Sequence, residues 1–135
     1  INIIPRKVDF TIDIRGIDLG KRETFIEHVK KSIYEVSNRR NIACQVEELI
    51  RIDPVKLPES MINLLEEATQ EVGVPFHRLV SGPTHDAHLM TKITNVGMIF
   101  APSRNGLSHC PEEWTDPGAA VVCTQVLLNA ILKVI

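Results

Sequence analysis

The sequence predicts an α/β fold in two parts, and three observations point to it. Residues 1–53 read strand, helix, strand, a βαβ-type unit or half of a split one. Residues 58–135 read helix, strand, helix, strand, helix, the alternation of an α/β domain. Between them Asp53-Pro54 and Lys56-Leu57-Pro58 form a hinge-like connection, because two closely spaced prolines forbid helix and disfavour a central strand. The expected parts are therefore 1–53 and 54–135.

The elements follow in order. Val8, Phe10, Ile12 and Ile14 alternate with Asp9, Thr11, Asp13 and Arg15, a half-buried strand with one wet face. Gly16 and Gly20 punctuate a turn. From Lys21 to Arg40 the positions Phe25, Ile26, Val29, Ile33 and Val36 make one helical stripe, with Arg39 and Arg40 at the end that suits cations. Ile42, Cys44 and Val46 resume the period of two, and Leu49 to Ile52 continue it past a phase break that suggests a bulge. Residues 1–53 are too few to bury a good core alone, so other strands or another subunit are expected to complete their sheet.

A helix is predicted from Pro58 to Val72, with Met61, Leu64, Leu65 and Ala68 as its stripe and Gly73 as its stop. Val74 to Val80 reads as a short strand, and His85 to Ile93 as a short helix. Val96 to Phe100 has no polar alternation and reads as a strand buried on both faces. The last helix starts at Thr115 or Asp116 with Pro117 near its first position, and runs to about Val134. It is apolar almost all round, so it is expected to be largely buried.

Composition narrows the function classes. A hydrophobic fraction of 44% with 24% charge suits a soluble globular chain, and 4% aromatics leaves the core to Ile, Leu and Val. Net charge is −2 with no basic stripe, which argues against nucleic acid as a partner. Cys44, Cys110 and Cys123 are odd in number and widely spaced, which suits a reducing, cytoplasmic setting and no disulfide framework. No stretch reads as a signal peptide. Gln125, Asn129 and Lys133 interrupt the C-terminal apolar run, so no membrane span is expected. The absence of an initiator Met gives the expectation of a fragment of something longer.

In α/β sheets, sites form in loops at the carboxyl ends of strands. Two loops qualify. One follows Val80 and carries Ser81-Gly82-Pro83-Thr84-His85-Asp86. The other follows Phe100 and carries His109, with Glu112, Glu113 and the only tryptophan, Trp114, close behind. A ring nitrogen of His109 could bind a metal, and a carboxylate could orient it or carry protons. Residue type alone also allows a solvated loop with a surface histidine, and favours it. His85 is likewise open between a ligand-binding and a packing role. His28, His77 and His88 read as structural or surface residues.

The run Pro-Ser-Arg-Asn-Gly-Leu-Ser-His-Cys-Pro-Glu-Glu-Trp-Thr-Asp, residues 102–116, resembles a C-terminal signature of metal-dependent amidohydrolases. That group includes allantoate amidohydrolase, N-carbamoyl-L-amino acid hydrolase and β-ureidopropionase, within the wider M20 zinc-peptidase-like family. The resemblance makes His109 a metal ligand, with Cys110 standing where Ser is more usual. Ser81-Gly82-Pro83-Thr84-His85-Asp86-Ala87 resembles the family's Ser-Gly-Ala-Gly-His-Asp-Ala run, which places Gly82 and His85 in the substrate site. Pro83-Thr84 departs from the pattern and removes a glycine's freedom at positive φ. Asn2-Ile3-Ile4-Pro5 with Asp13-Ile14-Arg15 resembles Asn-Val-Ile-Pro and Asp-Ile-Arg, which makes Asn2 and Arg15 binders of a substrate carboxylate. A guanidinium fork suits that task. The other reading of Arg15 is a surface pair with Asp13 or Asp9.

The resemblance implies that residues 54–135 are the C-terminal part of an M20-type catalytic domain, and 1–53 the second half of a lid or dimerisation domain. It implies a ureido acid substrate (allantoate or an N-carbamoyl-L-amino acid), divalent metal, Zn or Mn, two per site, and a homodimer. No catalytic residue is expected in this chain, because the family's general base and remaining ligands lie in its N-terminal half. Glu112-Glu113 are expected to lead into the last helix and to orient the site. The chain alone is expected to be inactive. The alternatives are a peptidase or acyl-amino-acid deacylase of the wider family, and a non-catalytic dimerisation module.

Overall fold

A computed structural model describes residues 2–135 and divides the chain into two compact units, Ile1–Pro54 and Val55–Ile135. In the first unit, helix α1 spans Leu19–Arg40. It begins before Lys21 because Asp18 caps it, its carboxylate accepting the Lys21 N–H at 2.9 Å. It ends at Asn41, whose left-handed φ of 52° lets the N–H groups of Asn41 and Ile42 reach back to the carbonyls of Asn38 and Ser37. That pair of bonds satisfies carbonyls the helix would otherwise leave open.

Charge ties residues 48–53 to the start of α1. Arg22 donates to the Ile52 carbonyl at 2.5 Å and the Asp53 carboxylate at 2.9 Å. Arg51 bridges Glu23 at 2.7 Å and Glu48 at 2.6 Å. No described residue of this unit is buried, so these contacts, rather than a core, connect its pieces.

The second unit is built on one helix pair. Helix α2, Glu59–Val72, stops at Gly73, which takes φ 77° and donates to the carbonyls of Thr69 and Gln70. A short five-residue helix, α3, covers Asp86–Met90. Helix α4, Pro117–Leu132, is capped by Asp116, whose carboxylate accepts the Gly118 N–H at 2.8 Å. Helices α2 and α4 pack together, and Ala68 (0% exposed), Val126 (3%) and Ala130 (4%) form the core between them. Leu64, Leu65, Val72 and Ile99 pack on it. A small residue at 68 lets the backbones approach. Residues 96–99 cross the same helix closely: a Cβ on Gly97 would lie 2.8 Å from a Leu65 methyl.

The sheet half of the α/β expectation does not form here. Among the described residues there is no strand. The segments expected as strands, Val8–Ile14, Ile42–Ile52, Val74–Val80 and Val96–Phe100, carry no backbone ladder. The physical reason is that a strand is held by bonds to a neighbour, not by bonds within itself. Without one, the apolar alternation stays open: Val8, Phe10 and Leu49 are 68%, 72% and 71% exposed. Residues 96–99 are half-buried and Phe100 is exposed, not covered on two faces. Helix α4 is also less buried than its composition suggests. Val121, Leu127, Leu128 and Leu132 are exposed, because one partner helix covers only one face of a helix that is apolar all round.

Candidate functional site

The loop 102–116 is folded on itself by local bonds. The Arg104 N–H donates to the Trp114 carbonyl at 2.8 Å, and the Arg104 guanidinium lies 5.4 Å from the centre of the indole. Ser103 Oγ donates to the Leu107 carbonyl and reaches that of Trp114. A 3-10 turn over Arg104–Gly106 takes positive φ at Asn105 and Gly106, residues that tolerate it. These contacts close the loop at its base.

His109 sits exposed in the loop with φ 59°. That left-handed conformation is uncommon for a residue with a Cβ, and strain of this kind collects at functional positions. Two side chains hold it. The Glu113 carboxylate accepts the His109 N–H at 2.8 Å, and Ser108 Oγ lies 2.5 Å from ring nitrogen Nδ1. With Nδ1 engaged, Nε2 is the nitrogen turned to other partners. Glu113 thus bonds the backbone of His109, and the cap of α4 is Asp116.

The loop after Val80 holds its histidine differently. Ser81 Oγ and His85 Nε2 are hydrogen bonded at 2.6 Å, and both residues are half-buried. The His85 ring meets Phe100 edge-on, with centroids 5.8 Å apart and an angle of 71° between planes. His85 thus abuts the last aromatic residue before the His109 loop. It occupies the position before α3 without a capping bond from its side chain. Gly82 is exposed, and a Cβ there would meet nothing within 4 Å.

Asn2 and Arg15 lie in the first unit and are exposed. Arg15 grips Asp13, its Nη2 at 2.6 Å and Nε at 3.0 Å from the carboxylate oxygens. The guanidinium holds the Asp13 carboxyl below its ordinary value, and Asp13 in turn raises Arg15. The guanidinium fork is thus arranged for a carboxylate, and here it holds one from its own chain.

No group of three or more His, Cys, Asp or Glu among the described residues could hold a metal ion. His109 offers one nitrogen, and a structural or catalytic site needs about three or four donors. The donors present do not by themselves fit a metal. Residue spacing did not reveal the hydroxyl partners Ser81 and Ser108. The only signal was a serine four residues before one histidine and directly before the other. The Arg104–Trp114 pair carried no signal at all.

The family model of peptidase family M20/M25/M40 matches residues 4–133. Among curated proteins, the chain is 41% identical over 132 residues to an N-carbamoyl-L-amino-acid amidohydrolase of Pseudomonas sp. (strain NS671), covering 98% of this chain and 32% of that protein. It is 34% identical to a ureidoglycolate hydrolase of Oryza sativa subsp. japonica, over 98% of this chain and 28% of that protein. It is also 34% identical to an allantoate deiminase of Arabidopsis thaliana, over 88% of this chain and 25% of that protein. The chain spans a third or less of the length of these relatives. No solved structure matches.

Proposed function

The chain belongs to peptidase family M20/M25/M40, and from that premise we propose that the whole protein hydrolyses a C–N bond of a ureido acid. Allantoate or an N-carbamoyl-L-amino acid is the substrate class, supported by the names of the relatives at 34% and 41% identity. The observation that carries the reading is the loop of residues 102–116. Its matching run of residues is folded so that His109 stands exposed, with Nδ1 and the backbone N–H both occupied by neighbours.

Each residue then has a task. His109 supplies one nitrogen to a divalent metal, Zn or Mn, completed by donors that the described residues do not include. His85 and Gly82 face the substrate, His85 as a hydrogen-bonding ring and Gly82 as a place where backbone comes close to it. Arg15 and Asn2 hold the substrate carboxylate, which competes with Asp13 for the guanidinium. No catalytic base is assigned in this chain. The α/β sheet belongs to this proposal too: residues 1–53 as half of a lid and dimerisation domain, residues 54–135 as part of the catalytic domain, in a cytoplasmic homodimer.

The test is metal content of the full-length protein beside His109→Ala. Loss of at least one bound metal per chain in the variant is expected. A variant that keeps its full metal content while remaining folded contradicts the assignment.

A further inference from the structure

We propose that Glu113 is the positioning residue of His109. Its carboxylate holds the His109 backbone in the left-handed conformation, and that conformation sets the direction in which the imidazole leaves the loop. The inference rests on the reading of His109 as a metal ligand.

The direction of the bond is fixed by its chemistry. A backbone N–H only donates, so the carboxylate oxygen accepts. The His109 N–H meets Glu113 Oε2 at 2.8 Å, an ordinary length for such a bond. Of the two adjacent carboxylates it is Glu113 that makes it.

The local sequence builds the turn that brings this oxygen back. The Glu113 N–H donates to the Cys110 carbonyl at 3.1 Å, which closes a four-residue turn over Cys110-Pro111-Glu112-Glu113. Pro111 stands at the second position, where its fixed φ suits the turn. The turn returns residue 113 to the neighbourhood of residue 109, and its side chain bonds across to the His109 N–H. Residues 109–110 and 113 are thus joined by two bonds running in opposite directions.

His109 has a use for this brace. Its φ is 59°, where a Cβ crowds the following carbonyl. Such a conformation persists only where its surroundings hold it. The angle φ is rotation about the N–Cα bond, so a held N–H resists that rotation. A return to the ordinary negative range would turn the Cα–Cβ bond by roughly 120° or more relative to the preceding peptide. The ring would move with it, away from any metal fixed by other donors. His109 and Glu113 are both exposed, so the bond directs a side chain without belonging to the core.

The experiment uses full-length protein. Zn²⁺ affinity is measured by competition with a chromophoric chelator, and crystal structures give φ at residue 109. Glu113→Ala and Glu113→Met both remove the acceptor, the second keeping most of the side chain's length. Each should bind Zn²⁺ about 10- to 100-fold more weakly than the wild type, with residue 109 at negative φ and the unfolding temperature little changed. Glu113→Gln keeps an acceptor oxygen and should recover most of the affinity and the positive φ. Wild-type affinity in both the Ala and Met variants overturns the proposal. So does a Gln variant as weak as they are, which would make the carboxylate's charge the cause. If His109→Ala loses metal while Glu113→Ala and Glu113→Met keep it, the positioning role alone fails. If His109→Ala keeps its full metal content, the metal-ligand reading fails and takes the proposal with it.

Discussion

Arg104 and Trp114 clamp the ends of the His109 loop twice. The Arg104 N–H donates to the Trp114 carbonyl at 2.8 Å, while the guanidinium lies over the indole at 5.4 Å. One contact belongs to backbone and the other to side chains, so a substitution can separate them. Trp114→Ala removes the side-chain contact and leaves the carbonyl. An exposed cation–π pair is worth about 0.5–1 kcal/mol. The Arg104 amide should therefore exchange with solvent about two- to fivefold faster in the variant, read by hydrogen exchange. An unchanged rate would mean that the indole does not hold the loop.

Gly97 marks the closest approach of the 96–99 segment to α2. An added Cβ would meet a Leu65 methyl at 2.8 Å and the Met61 Cβ at 3.7 Å. Leu65 packs on the core, so moving it costs contacts there. Gly97→Val should destabilise the second unit by about 1–3 kcal/mol, the usual cost of overpacking. Urea unfolding checks this, and a stability equal to the wild type would show that the segment lifts off at no cost.

Arg78 pins the segment after Gly73 to α2 through Glu66, Glu59 and Asn63. Its guanidinium holds the Glu66 carboxyl below the ordinary glutamate value. A carboxyl lowered on folding contributes stability that is present above its unfolded value and fades as pH falls through the folded one. The stability gap between the wild type and Arg78→Met should thus be largest near neutral pH and close in acid. Denaturation across pH tests it, and a gap that persists in acid would assign Arg78 a packing role instead.

The helix ends were legible because their chemistry is local. Gly73 and the Asp116-Pro117 pair stop and start helices within a few residues of themselves. Asp18 moved the start of α1 before Lys21 by the same kind of short-range bond. The sheet was not decided that way. Val8, Phe10 and Ile12 alternate as a strand does, yet a ladder requires a partner that no local pattern supplies. The site divides likewise. Residues 81–87 and 102–116 stand out as motifs, whereas the bonds from Ser81 to His85 and from Ser108 to His109 depend on ring orientation, which spacing does not encode.

Arg15 should matter to substrate binding in the full-length protein. Charge-assisted hydrogen bonds are worth about 1.5–3 kcal/mol, so Arg15→Ala should raise KM for a ureido acid roughly 10- to 100-fold. An unchanged KM would contradict the carboxylate-binding role of Arg15.

The isolated 135-residue chain offers His109 without a cluster of further donors among its described residues. Calorimetric titration with Zn²⁺ should therefore show no saturable one-to-one site, and the chain should not turn over substrate. Stoichiometric binding with turnover would overturn the assignment of the remaining donors to sequence outside this chain.

The most direct test of the account is ammonia release by the full-length protein with Mn²⁺ added. Allantoate and an N-carbamoyl-L-amino acid are assayed side by side, each beside His109→Ala. The account predicts release from at least one ureido acid and its loss in the variant. Full metal occupancy with no release from either substrate, together with cleavage of a dipeptide or an acyl amino acid, would contradict it.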